Sequence, residues 1–282
     1  MDHAIPEMPS RPTSRTRGIS GERLFTVVVF ALLLAYGAFV LAILLGDVFY
    51  VRSGELIKAL MSSETFFAIK LSFFTSIVST GLAVLFAVPG GYALSRYKFP
   101  GKAVIDTLID LPIVLPPLIV GVSLLVFFNT GVGRWLEDHG LRLVYTVPGI
   151  ILAQFSISSS FAVRAMKAAY DHIDTRYELA ARSLGATKFQ AFYKVVIPLS
   201  KNGMIAGAVM TWARAVGEFV PILIFAGAAR FKTEVLPTAI FLRIEVGDIQ
   251  GAVALTIIMM FIALAALLLF KKIGGAGEGW QY

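Results

Sequence analysis

Apolar residues gather in six long runs: Leu24–Leu45, Leu71–Leu94, Leu111–Phe128, Val144–Val163, Met204–Ala229 and Gly251–Phe270. Each is near the roughly 20 residues that a helix needs to cross a hydrocarbon core. The runs are continuous rather than alternating. Lipid offers no partners for the backbone of an open sheet, so the pattern predicts helices. The first run is too long for a signal-peptide core and no small-x-small cleavage site follows it, which predicts a retained span. The expectation is an all-α, polytopic membrane protein with six transmembrane helices.

Punctuation within the runs adds detail. Pro112, Pro116 and Pro117 open the third run, and Pro89-Gly90-Gly91 sits late in the second. Proline cannot donate to the helical ladder and clashes with the preceding turn, so bends are expected at both places. Only the fifth run holds charges, Arg214 and Glu218. A charge deep in a bilayer costs roughly 3 kcal/mol on insertion scales. The i, i+4 spacing puts the two on one helix face, where they partly neutralise each other. Two roles stay open for them, a contact in a solute pathway or a structural pair pinning helices. Thr75, Ser76, Ser79, Thr80, Ser123, Ser156, Ser158, Ser159 and Thr211 carry hydroxyls inside or beside the runs. Thr75, Ser79, Ser123 and Thr211 are candidates for lining a pathway; bonding to helix backbone is the common alternative.

Composition agrees with a membrane domain. Of 282 residues, 57% are hydrophobic and 15% charged, with a mean hydropathy of +0.79. Ordinary soluble domains carry about 25% charged residues. Lys and Arg are unevenly placed. Sixteen lie in the segment before Leu24, in the second-to-third and fourth-to-fifth connections and at the C-terminal end, against seven in the alternate loops. By the positive-inside rule both termini are cytoplasmic. The same bias accounts for most of the net charge of +7, so nucleic acid is not needed as a partner. Residues 1–20 and 273–282 are expected to be flexible cytoplasmic tails, the first rich in Pro, Arg, Ser and Thr, the second in Gly.

Enzyme chemistry finds little support. There is no cysteine, hence no disulfide, thiol nucleophile or cysteine metal site. His3, His139 and His172 form no metal-ligand spacing, and no Gly-x-x-x-x-Gly-Lys-Ser/Thr phosphate loop occurs. No metal site, catalytic residue or bound cofactor is expected.

The most informative polar segment joins the fourth and fifth runs. Asp174 is placed to cap a short helix, on which Tyr177, Ala180, Ala181 and Leu184 share one face. Gly185 stands where a left-handed residue would end that helix. Thr187 and Gln190 have capping-box spacing for a second short helix bearing Phe189, Phe192 and Tyr193. Periodicity and caps taken alone favour an amphipathic connector resting on the membrane interface.

The segment Glu178-Leu179-Ala180-Ala181, with Gly185 and the ending Ile197-Pro198-Leu199, resembles the cytoplasmic coupling loop of membrane permeases of ATP-binding-cassette importers. Leu179 replaces the family's first Ala. Further stretches resemble the molybdate, tungstate and sulfate permeases of that class: Leu111–Pro117, Thr146–Ile150, Trp212–Phe219 and Thr233–Ile240. Val220-Pro221-Ile222 departs from the smaller, Gly-containing sequence of the family. The likeness covers about residues 60–272.

It implies a type I importer permease fold, with a first helix and external loop at 21–63, a permease core at 64–272 and the coupling loop at about 165–200. It also implies a solute pathway formed by two copies of the chain, with no ATPase activity of its own. Two cytoplasmic ATPase subunits would hold ATP and Mg and grip Glu178, Leu179, Ala180, Ala181, Leu184 and Gly185. An external binding protein would deliver an oxyanion, molybdate or tungstate before sulfate, across the cell membrane. The rival is a self-sufficient secondary transporter or channel, better served by inverted repeats or ionisable pairs across spans.

Overall fold

The computed structural model describes residues 18–274, with side chains from 21 to 268. The expected tails lie outside these residues, except that 18–20 and 273–274 belong to helices. Among the described residues there are helices and no strands. Contacts divide the chain into two units, one ending at Tyr50 and one starting at Val51.

The first unit is the single helix α1 (Gly18–Tyr50), 33 residues long. Leu24, Phe30, Leu34 and Phe39 are all exposed, as suits a lipid-facing span.

The second unit begins with α2 (Ser53–Met61) and α3 (Ser63–Arg96), followed by α4 (Lys102–Val114), α5 (Pro117–Asn129) and α6 (Gly131–Asp138). Then come α7 (Val147–Asp171), α8 (Thr175–Ser183), α9 (Lys188–Ala191), a π-helical turn (Phe192–Val196) and α10 (Ile197–Val216). Last are α11 (Val220–Phe225), α12 (Leu236–Glu245) and α13 (Ile249–Gly274). Its centre is the pair α3 and α7. Leu71 clusters with Ile150 and Ala153, while Ala83, Ala87 and Leu94 cluster with Ala162, Met166 and Tyr170, so the two helices run in the same direction. Small residues let the backbones approach, as in other membrane helix pairs. A Cβ at Gly91 would stand 2.8 Å from Met166 Cβ; one at Gly207 of α10 would stand 2.6 Å from Ala165 Cβ.

The expected count of six spans is not confirmed. Four helices among the described residues, α1, α3, α7 and α13, are long and apolar enough to cross a membrane, or five if the bent pair α4–α5 is one span. That pair bends by 111°. Leu115 and Pro116 each precede a proline, which disfavours the helical region, and both are extended, with ψ of 136° and 134°. The run Met204–Ala229 is also divided. α10 stops at Val216, and Gly217 to Phe219 separate it from the short α11, where Pro221 occupies the first turn and so lacks no ladder bond. The proline expected to loosen the second run does not break it: α3 continues through Pro89.

Candidate functional site

The segment between α7 and α10 is built by local capping. The Asp174 side chain accepts a hydrogen bond from Arg176 N–H at 2.8 Å and starts α8. Gly185 ends it at φ +92°, with Gly185 N–H donating to Arg182 C=O and Ala186 N–H to Ala181 C=O. This paired closure is the Schellman arrangement, and it requires the left-handed residue that glycine supplies most cheaply. Thr187 and Gln190 close the capping box at the head of α9. The π turn after α9 accommodates Pro198, which has no N–H to continue an α-helical ladder, and Ile197 N–H bonds back to Phe192 C=O.

No residue of α8 is buried. Tyr177, Leu179 and Leu184 are exposed, as is Ala180, while Ala181 is half-buried. Phe189 and Tyr193 stack 6.4 Å apart and are both exposed. Basic residues Arg176, Arg182, Lys188 and Lys194 surround these rings in sequence. The result is an apolar and aromatic surface with a basic surround, offered by two short capped helices.

Glu178 points the other way. Arg96 Nε donates to one carboxylate oxygen at 2.6 Å and the Tyr92 hydroxyl to the other at 2.7 Å. The Arg96 and Glu178 side chains are only 9% and 12% exposed. A second arginine clamp lies nearby in sequence: Arg164 of α7 donates to Asp106 and Asp110 of α4. Neither clamp is legible in the sequence: Arg96 and Arg164 fall among the sixteen Lys and Arg of the positive side, and no short-range pattern ties either to an acid 54 or more residues away.

The charged residues of the fifth run do meet. Arg214 Nη1 lies 2.5 Å from a Glu218 oxygen, with the Glu218 side chain 4% and that of Arg214 32% exposed. The Arg214 guanidinium also stands 5.8 Å over the Phe161 ring. Of the candidate hydroxyls, Thr211 is buried and donates to Gly207 C=O, and Thr75 is buried and donates to Ser72 C=O. Ser79 is buried and Ser123 is exposed on α5. Ser72, not singled out beforehand, accepts from Leu236 N–H at 2.7 Å and ties α3 to the head of α12. Thr233 and Thr238 explain part of the Thr233–Ile240 stretch. Thr233 accepts from Ala229 N–H, and Thr238 accepts from Val235 N–H.

Two carboxylates outside the spans are shifted in opposite directions. Burial, aided by the neighbouring Glu64 charge, pushes Glu234 up against the pull of Arg230 and Arg243. Asp248 is held down by the Gly251 N–H and by Arg243, and it starts α13. Among the described residues no group of three or more His, Cys, Asp or Glu could hold a metal.

Residues 79–274 match the family described as binding-protein-dependent transport system inner membrane component. The molybdenum transport system permease protein ModB of Escherichia coli is 36% identical over 202 residues, covering 69% of this chain and 88% of that protein. The sulfate transport system permease protein CysT of the same species is 34% identical over 206 residues, 72% of this chain and 74% of that one. The molybdate/tungstate transport system permease protein WtpB of Thermococcus kodakarensis is 33% identical over 205 residues, 72% and 78% of the two chains.

In fold, the chain is similar to a crystal structure of a bacterial ABC transporter that imports alginate, with a TM-score of 0.64 at 18% identity over 91% of this chain and 94% of that one. An inward-facing MetNI methionine ABC transporter gives 0.60 at 18% identity over 77% and 99%. An all-helical membrane chain with this segment between α7 and α10, matched by that family over most of its length, belongs to the inner-membrane permease components of binding-protein-dependent ABC transport systems.

Proposed function

We propose that this permease passes a tetrahedral oxyanion, molybdate or tungstate before sulfate, through a pathway formed by two copies of the chain. A separate ATPase docks on α8 and α9, and a binding protein delivers the anion at the opposite face. Both termini are then cytoplasmic, on the side of α8. One observation carries the reading: α8 and α9 are closed by their own caps and, with Glu178 turned inward, present Tyr177, Leu184, Phe189 and Tyr193 outward. Exposed rings on rigid short helices are the kind of surface that aromatic-rich protein interfaces use. The choice of anion is supported by relatives named for molybdate, tungstate and sulfate transport.

A transport pathway must release its solute, so contact with the two states must differ rather than be tight in either. Pairing of Arg214 with Glu218 fits that requirement, because the cation does not stand free to trap a dianion. Selectivity then resides in the binding protein.

The test is reconstitution in proteoliposomes with the ATPase and binding protein. ATP-dependent uptake of molybdate or tungstate is expected, with calorimetry on the permease alone giving weak binding. Single cysteines at Ser183 and Lys98 should label only from the ATPase side, and those at Asp138 and Lys232 from the other; all four positions are exposed. Uptake without ATPase, uptake of a sugar or amino acid in place of the anion, or tight binding abolished by Arg214→Ala would each overturn the reading.

A further inference from the structure

The acid of the α8 segment is turned inward, and its partners belong to a span that the chain left long before. Tyr92 and Arg96 occupy the last turn and a half of α3, 86 and 82 residues from Glu178. Both Glu178 oxygens are engaged, one by each partner. Arg96 also reaches Ile173 C=O with Nη2 at 2.9 Å, in the turn between α7 and α8. Its Nη1 meets Ser95 Oγ at 3.2 Å, and Ser95 in turn donates to Asp171, at the end of α7. The Tyr92 ring lies 4.5 Å from Phe192 of the π turn and 5.9 Å from Tyr170 of α7. One guanidinium and one phenol therefore join the end of α3 to α8, to the hinge before it and to the turn after it.

The backbone offers α8 two connections only, back to α7 and forward through α9 and the π turn to α10. α3 has no such link. A push on α8 reaches α7 and α10 through the chain; it reaches α3 indirectly, through the packing of α3 on α7, and directly through this clamp. The clamp is suited to carrying it. The ion pair is shielded from water, and a planar guanidinium held at three points resists rotation more than a single contact would.

We infer that Arg96 is a positioning residue for transport, making α8 and the end of α3 one rigid body, with Glu178 its internal anchor rather than an acid offered to a partner. The inference rests on the proposed docking of an ATPase at α8.

Two measurements on the full complex in proteoliposomes test it. In the first, spin labels are placed on cysteines at Ser183 and Lys98, in a chain that has no native cysteine. The distance between them should stay fixed from the nucleotide-free to the ATP-bound state and broaden in Arg96→Gln. A change with nucleotide in the unmutated chain overturns the inference without needing any clamp variant.

In the second, Arg96→Gln and Glu178→Gln should assemble with the ATPase and keep its KM for ATP. Solute moved per ATP should fall roughly tenfold, within the range typical of energetic coupling between sites. Arg96→Lys keeps the charge but not the three-point fork, and should lie between. ATPase binding lost in step with transport would show Glu178 to be a partner contact. An unchanged solute-to-ATP ratio would show the clamp to be idle. Either result ends the proposal, whereas failure of the unmutated chain to bind an ATPase would end the docking reading instead.

Discussion

Replacing Gly185 isolates a backbone effect from every packing effect. The residue sits at φ +92°, and a Cβ built there meets nothing within 4 Å. Substitution therefore creates no clash, and its cost is that of holding an L-residue in the left-handed region, about 1–2 kcal/mol. That energy is spent where Gly185 N–H bonds to Arg182 C=O at 3.0 Å and Ala186 N–H to Ala181 C=O at 3.1 Å. A penalty of this size changes a local equilibrium by roughly 5- to 30-fold. Hydrogen exchange at the Ala186 amide should accelerate by that factor in Gly185→Ala. It should accelerate less in Gly185→Asn, whose side chain tolerates the left-handed region, and more in Gly185→Val, whose branched Cβ does not. Amides in the middle of α7 and α10 should keep their protection, because neither helix depends on this cap. Unchanged exchange in Gly185→Ala, or an Asn variant looser than the Ala variant, would refute the assignment of Gly185 as a conformational stop.

Two further perturbations probe packing and charge. Gly207→Ala drives a methyl to 2.6 Å from Ala165 Cβ and should cost about 1–3 kcal/mol by overpacking, read as a lower thermal midpoint in detergent and restored by adding Ala165→Gly. Asp248 is held below the ordinary carboxylate value, so its contribution is present above that value and fades as pH falls through the lowered one. The stability gap between the unmutated chain and Asp248→Asn should accordingly be full near neutral pH and close below about pH 4, and a gap independent of pH would contradict the Arg243 and Gly251 contacts as its source.

How far each feature could be read from the chain depends on the range of the force that makes it. Hydropathy over twenty residues suffices to place α1, α3, α7 and α13, because each helix satisfies its own backbone and each is apolar along its length. Caps span three residues, so Asp174, Gly185 and the Thr187–Gln190 pair could be assigned from spacing alone, and the i, i+4 rule brought Arg214 to Glu218. Prolines marked where a helix could fail but not where it would. The tandem pair at Pro116 and Pro117 forces two pre-proline residues out of the helical region. The single Pro89 is carried through, in a helix packed along α7 on both sides of it at Ala87 and Gly91. Division of the fifth run at Gly217 to Phe219 was likewise hidden, since a break of three residues leaves the average hydropathy high.

The direction in which Glu178 faces was decided by tertiary structure alone. Its helix offers it to either side with equal ease. What turns it inward is the arrival of Arg96 and Tyr92 from a span 82 and 86 residues away, and only parallel packing of α3 against α7 delivers them to that place.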